Sequence, residues 1–173
     1  MRSTVVALTL FYLPILVMAQ TPNAVPCSAS EYRRFDFWLG EWDVFNPAGT
    51  KVGDSRIEKI IGDCVLLESY SGKKGYEGKS FNVYNASTRQ WQQFWVDNAG
   101  AVLELSGTLR GNALAYSGST RDSAGAVTRH RLTFFPVVRD SVRQLWEQST
   151  DDGTNWTVAF DGRYVRKAKG SKK

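Results

Sequence analysis

The sequence predicts an all-β protein, a ten-stranded antiparallel up-and-down β-barrel with a short N-terminal helix. Two observations carry this prediction. From Phe37 to Arg166, apolar and polar residues alternate in short runs, which is typical of strands with one buried face. Turn residues interrupt the runs at a spacing of roughly ten residues, and loops this short make neighbouring strands antiparallel.

Each run ends at a cluster of turn-forming residues such as Gly, Asn, Asp or Ser. The predicted strands are Phe37–Phe45, Lys51–Ile61, Cys64–Tyr70, Tyr76–Tyr84, Arg89–Val96, Val102–Leu109, Ala113–Thr120, Val127–Val138, Val142–Ser149 and Asn155–Arg166. An open sheet of this size would expose two unpaired edges, and closure into a barrel removes both. A two-sheet sandwich is the alternative, but the sequence offers no long crossover connection of the Greek-key type.

The chain before the first strand is expected to contain one or two helical turns. Ser28 and Glu31 have the spacing of a capping box, which places the start of this helix just after Cys27.

The first 19 residues have the form of a secretory signal peptide. Arg2 supplies the positive charge, residues 5–18 are uncharged and largely apolar, and Val17 and Ala19 suit a cleavage site. A membrane anchor is the alternative, but a spanning helix needs about 20 apolar residues and this run contains Pro14. We therefore expect a secreted or periplasmic protein without stable membrane insertion. Residues 20–34 then form the N-terminal segment with the short helix, residues 35–166 the barrel, and residues 167–173 a basic disordered tail.

The net charge of +5 does not indicate a nucleic-acid-binding surface. Five basic residues lie in the last eight positions, and without them and Arg2 the chain has 16 basic and 17 acidic residues. The excess positive charge therefore belongs to a terminal tail and not to one face of the barrel.

Two cysteines, Cys27 and Cys64, are the only ones in the chain. In an oxidising compartment an even count favours one disulfide, although two separate buried thiols are the alternative. With one histidine and no Cys-x-x-Cys motif, the sequence lacks the ligands of a structural zinc site.

The triplet Gly40-Glu41-Trp42 predicts how the barrel closes. A Gly-x-Trp on a first strand lets the indole lie across the base of a barrel. An arginine of the last strand, Arg163 or Arg166, can then stack on Trp42 in a cation–π contact worth about 0.5–2 kcal/mol.

These closing residues resemble those of the lipocalin and fatty-acid-binding-protein group of barrels, also called calycins. The segments FDFWLGEWDV, SFNVYN, WQQFWVD and SVRQLWEQSTDDGTNWTVAFDGRYVR resemble an uncharacterised family of exported lipocalin-like bacterial proteins. The resemblance covers most of the chain after Arg34 and implies a barrel with a cavity, but no established activity. The fatty-acid binders hold a carboxylate with an Arg-x-Tyr pair, a spacing that Arg163-Tyr164 does not reproduce.

Strand alternation indicates which side chains share the interior. Aromatic side chains with scattered polar ones are what a pocket for a small, partly polar molecule needs. The predicted ligand-binding residues are Trp42, Glu68, Tyr70, Tyr84, Gln93, Trp95, His130 and Trp146. A filled core made by the same aromatic residues is the alternative, and the oligomeric state stays open.

Acid–base catalysis by an interior carboxylate and haem binding are the two alternatives to simple ligand binding. Glu68 with Glu104 or Glu147 would make an interior acid–base pair, but alternation turns Glu147 outward. His130 shares its face with apolar residues and would supply a haem ligand, although it lies between two arginines. We expect a binding protein without a required cofactor.

The segment from Ser149 to Trp156 resembles the Asp-box turn of sialidase-type propellers. A single copy is expected to act as a hairpin turn in which Asp151 accepts backbone N–H groups and Trp156 packs beneath it. It does not indicate glycosidase activity, because that chemistry needs catalytic residues elsewhere.

Overall fold

A computed structural model describes residues 25–138 and 140–168. The expected signal peptide lies outside the described residues, as does most of the predicted basic tail. No helix in the described part of the chain is long and apolar enough to span a membrane.

Ten antiparallel strands form a closed up-and-down barrel, which confirms the predicted fold class. The strands are β1 (Gly40–Phe45), β2 (Lys51–Ile60), β3 (Val65–Gly72), β4 (Glu77–Asn85), β5 (Gln90–Asp97), β6 (Val102–Arg110), β7 (Ala113–Arg121), β8 (Val127–Val138), β9 (Ser141–Ser149) and β10 (Thr157–Arg166). Each strand pairs with its neighbours in sequence, and β1 pairs with β10 to close the barrel. Closure satisfies both sheet edges, as expected for a meander of this length.

The helical segment before β1 consists of two short 3₁₀ helices, Ser30–Arg33 and Asp36–Trp38. The predicted capping box is wrong: the helix starts one residue later, Ala29 is its N-cap, and no side chain caps it. Ser28 instead closes a turn, with its N–H donating to the carbonyl oxygen of Val25 at 3.3 Å. The first predicted strand also begins too early, since its opening residues belong to the second 3₁₀ helix.

This helical segment plugs one end of the barrel. Phe35 and Trp38 are fully buried and stack with ring centroids 4.9 Å apart. Trp38 also packs on Phe134 of β8 at 4.5 Å, and Phe35 meets the edge of Trp91 of β5 at 5.6 Å. We call this the closed end, because aromatic rings fill it.

A disulfide and an ion pair help to hold the plug against the barrel. Cys27 and Cys64 form a disulfide with Cα atoms 5.1 Å apart, joining the N-terminal segment to the loop before β3. Lys59 of β2 makes an ion pair with Asp36 at 2.7 Å.

The junction of β1 and β10 confirms the predicted cation–π closure. The guanidinium carbon of Arg166 lies 4.2 Å from the ring centroid of Trp42, and Arg166 Nη1 donates to the Leu39 carbonyl oxygen at 2.7 Å. Trp42 Nε1 donates to the carbonyl oxygen of Trp38 at 2.9 Å. Gly40 has φ +127°, and a Cβ there would lie 2.2 Å from Arg166 Nη1. Glycine is therefore required where the plug enters the barrel.

Candidate functional site

A cavity of about 260 Å³ lies at the end of the barrel opposite the plug, which we call the open end. Strand register explains its position, because it is lined mainly by the ends of β3, β5, β9 and β10 that point away from the plug. Its walls are mostly aromatic and its floor is polar. The lining residues are Glu68, Tyr70, Tyr76, Gln93, Trp95, Leu103, Leu132, Gln144, Trp146, Ala159, Phe160 and Tyr164.

The aromatic walls are set at steep angles to one another. Tyr70 makes edge-on contacts with Tyr76, Trp95 and Phe160, with centroids 6.2, 6.4 and 6.4 Å apart. Tyr76 is held at the rim by its hydroxyl, which donates to Asp97 Oδ2 at 2.8 Å. These rings present both faces and edges to whatever occupies the cavity.

The floor belongs to a polar layer that crosses the middle of the barrel. Its members are inward-facing residues of β2, β3, β4, β5, β7, β9 and β10 joined by side-chain hydrogen bonds: Ser55, Glu68, Ser80, Asn82, Gln93, Tyr116, Gln144 and Tyr164. Buried polar groups are stable only when such bonds satisfy them. The polar layer separates the filled closed end from the cavity.

Glu68 is the central residue of the polar layer and is only 2% exposed. Its Oε1 accepts from the Ser55 hydroxyl at 3.0 Å and its Oε2 from the Ser80 hydroxyl at 2.9 Å. Tyr164 Oη lies 3.3 Å from Oε1. Burial raises the pKa of Glu68 to about 7, even though these hydroxyl contacts favour the ionised form and oppose the shift.

Tyr164 Oη also lies 2.6 Å from Gln144 Oε1. A phenol has a single hydrogen, so Tyr164 can donate to only one of Gln144 and Glu68 at a time. When Glu68 is protonated it can donate to Tyr164, which then donates to Gln144. When Glu68 is ionised, Tyr164 can turn its hydrogen to Glu68, and Gln144 Oε1 becomes a free acceptor at the cavity floor.

The structure brings five of the predicted ligand-binding residues together at the cavity: Glu68, Tyr70, Gln93, Trp95 and Trp146. It does not bring the other three there. Trp42 lies at the closed end beneath Arg166, and Tyr84 packs there against Tyr32 and Trp91 at 5.2 and 6.0 Å. The closed end of the barrel is thus a filled core, and the open end contains the pocket.

His130 is buried but does not line the cavity. Trp146 Nε1 donates to its Nδ1 at 3.2 Å, and its Nε2 lies 2.8 Å from Thr120 Oγ1. Since an indole N–H only donates, Nδ1 accepts and the neutral ring carries its proton on Nε2. Burial lowers the pKa of His130 and favours this neutral form. Neither nitrogen has a free lone pair, so the geometry does not favour the haem ligation that the sequence left as an alternative. His130 instead orients the Trp146 side chain in the cavity wall.

Neither carboxylate considered as an acid–base partner for Glu68 lies in the interior, and Glu147 faces outward as strand alternation predicts. Glu104 is exposed on the outer face of β6, and Glu147 makes an ion pair with Arg131 outside the barrel at 2.6 Å. Within the described residues, no group of three or more His, Cys, Asp and Glu side chains is arranged to hold a metal ion.

Sequence reasoning missed several members of the polar layer and the cavity wall, including Ser55, Ser80, Asn82, Gln144 and Phe160. A usable signal existed for the polar ones, because Ser80 and Asn82 occupy inward positions in the middle of a strand. A polar residue at such a position needs a buried partner.

Comparison with known proteins finds no family model that matches the chain and no curated protein with significant similarity to it.

Proposed function

We propose that the protein is a lipocalin-like binding protein that holds one small amphiphilic molecule in the cavity at the open end. The aromatic walls receive the apolar part of the ligand, and the polar layer receives its polar group. The observation that carries this proposal is the division of the interior into a filled closed end and an unfilled, aromatic open end with a polar floor. Pockets of this composition are typical of small-molecule sites.

Binding can be followed through tryptophan fluorescence, because Trp95 and Trp146 both line the cavity. Three aromatic probes of similar shape test whether the cavity binds a small amphiphile: 2-phenylethanol, 2-phenylethylamine and phenylacetate. Each is titrated by fluorescence and by calorimetry. We expect saturable one-to-one binding of at least one probe. If none of the three binds, the proposal is overturned.

A blocking variant and a matched control test whether the ligand binds in this cavity. Ala159 lines the mouth, so Ala159→Trp places an indole where the ligand enters and should weaken binding about tenfold or more. Val158→Trp introduces the same side chain one residue away, at a position that is 60% exposed and does not line the cavity, and should retain binding. Equal binding by both variants would place the ligand elsewhere and overturn the proposal.

A further inference from the structure

The carboxyl group of Glu68 has no cationic partner among the described residues. All its hydrogen-bond partners are neutral hydroxyls: Ser55, Ser80 and Tyr164. Among the described residues that line the cavity, none is lysine, arginine or histidine. A buried carboxylate is normally paired with a cation, because hydroxyl donors only partly replace the hydration that it loses.

An ionised Glu68 still has room for a further donor. A carboxylate offers about four lone-pair sites, and the three hydroxyls occupy at most three of them. Gln144 Oε1 becomes a second acceptor nearby when Tyr164 turns to Glu68. Gln93, whose amide nitrogen donates to Asn82 at 3.1 Å, also lines the cavity floor. The described residues of the floor are therefore rich in acceptors and include no cation.

The walls of the same cavity suit a positive charge. Tyr70, Trp95, Trp146 and Phe160 present aromatic rings to one space, and the face of such a ring attracts ammonium groups within about 6 Å. The carboxylate at the floor and the aromatic rings at the sides both favour a positively charged group on the ligand. An anionic ligand would meet Glu68 with no compensating cation.

We propose that the ligand is a small organic amine bound as its ammonium ion, with the nitrogen at Glu68 and Gln144 and the apolar part against the aromatic walls. This inference rests on the proposed function and narrows it to one chemical class of ligand. The ammonium group supplies the cationic partner that Glu68 lacks among the residues that the structure describes.

The first test compares 2-phenylethylamine with 2-phenylethanol, which has the same shape without the charge. At pH 8 the amine should bind about tenfold or more tightly than the alcohol, and phenylacetate should bind most weakly. Glu68→Gln should bring the ratio of the amine and alcohol affinities close to one. Glu104→Gln, which removes an exposed carboxylate from the outer face of β6, should keep the wild-type ratio.

The second test uses the wild-type protein alone, so it does not depend on the folding of a variant. The amine requires ionised Glu68, so its affinity should rise about tenfold per pH unit below pH 7 and level off above it. The other titratable groups near Glu68 do not produce this profile. Burial raises the pKa values of the Tyr70, Tyr116 and Tyr164 hydroxyls. Burial lowers the pKa of His130, whose ring accepts from Trp146 and does not line the cavity, and Asp54 is paired outside the barrel with Lys51 and Lys167.

The outcomes separate this inference from the proposal on which it rests. If the alcohol binds in the cavity and the amine binds no more tightly at pH 8, the amine assignment is overturned and the binding function stands. The same holds if the preference for the amine survives Glu68→Gln. If no probe binds, both are overturned.

Discussion

At the scale of single residues, the burial of Glu68 predicts a pH-dependent stability. Glutamate is almost never fully buried without a paired charge, yet Glu68 lies beneath a cavity among neutral hydroxyls. Burial raises its pKa from 4.5 to about 7. The folded protein therefore holds this proton more tightly than the unfolded chain does, and the ionised form of Glu68 costs folding free energy.

We predict that this cost appears as a loss of stability with rising pH. The contribution of protonated Glu68 is fully present below about pH 4.5 and is lost as the pH rises through about 7, with a total change of up to about 3 kcal/mol. Urea unfolding from pH 5 to 8 measures it. Glu68→Gln should remove this component, while Glu104→Gln should leave it in place. An identical pH profile for wild type and Glu68→Gln would contradict the prediction.

At the scale of strands, glycines set how closely the elements approach. Gly78 of β4 faces Trp95 of β5, and a Cβ there would lie 2.1 Å from the indole ring. The absence of a side chain at Gly78 thus leaves room for the Trp95 indole in the cavity wall. Gly40, at the start of β1 in the closed end, likewise leaves room for the Arg166 guanidinium of β10.

Gly40→Ala should therefore be strongly destabilising. The new Cβ would collide with the Arg166 guanidinium, and φ +127° is unfavourable for alanine, so we expect a loss of about 2–4 kcal/mol. Gly49→Ala is the matched control, because Gly49 also has positive φ, +79°, but no atom of the described residues lies within 4 Å of its Cβ position. Its cost should be about 1–2 kcal/mol. Equal losses in urea unfolding would mean that the Arg166 contact adds nothing.

At the scale of the whole molecule, the barrel has two unlike ends. The helical segment fills one end with aromatic rings, and the cavity occupies the other. The plug runs directly into β1, and the Cys27–Cys64 disulfide ties its other end to the loop before β3. The disulfide spans 37 residues that include β1 and β2.

We predict that the double variant Cys27→Ser/Cys64→Ser loses roughly 3–4 kcal/mol of unfolding free energy, since an unfolded chain without this loop constraint gains entropy. Thermal unfolding with and without a thiol reductant measures the effect. The reductant should lower the Tm of the wild type and leave that of the double variant unchanged. If the reductant changes neither, the disulfide does not contribute to stability.

The sequence alone was enough to predict the number of strands, most of their bounds, the barrel and its closure by Trp42 with an arginine of the last strand. It left Arg163 and Arg166 as alternatives, and the structure selects Arg166. Each depends on local information: alternation of apolar residues, turn residues, and a short motif near each end of the barrel. Alternation also separated inward from outward side chains, and so selected Glu68, Gln93 and Trp95 for the interior.

Only the tertiary structure decided how deep each inward residue lies. Alternation has a period of two and carries no information on position along the barrel axis, which depends on the stagger between hydrogen-bonded strands. That stagger places Trp42 and Tyr84 in the filled end and Trp95 and Trp146 at the cavity. It also joins Ser55, Glu68 and Tyr164, which are far apart in sequence, into one network. The buried, unpaired state of Glu68 arises from that assembly, because no local pattern specifies which side chains from other strands surround it.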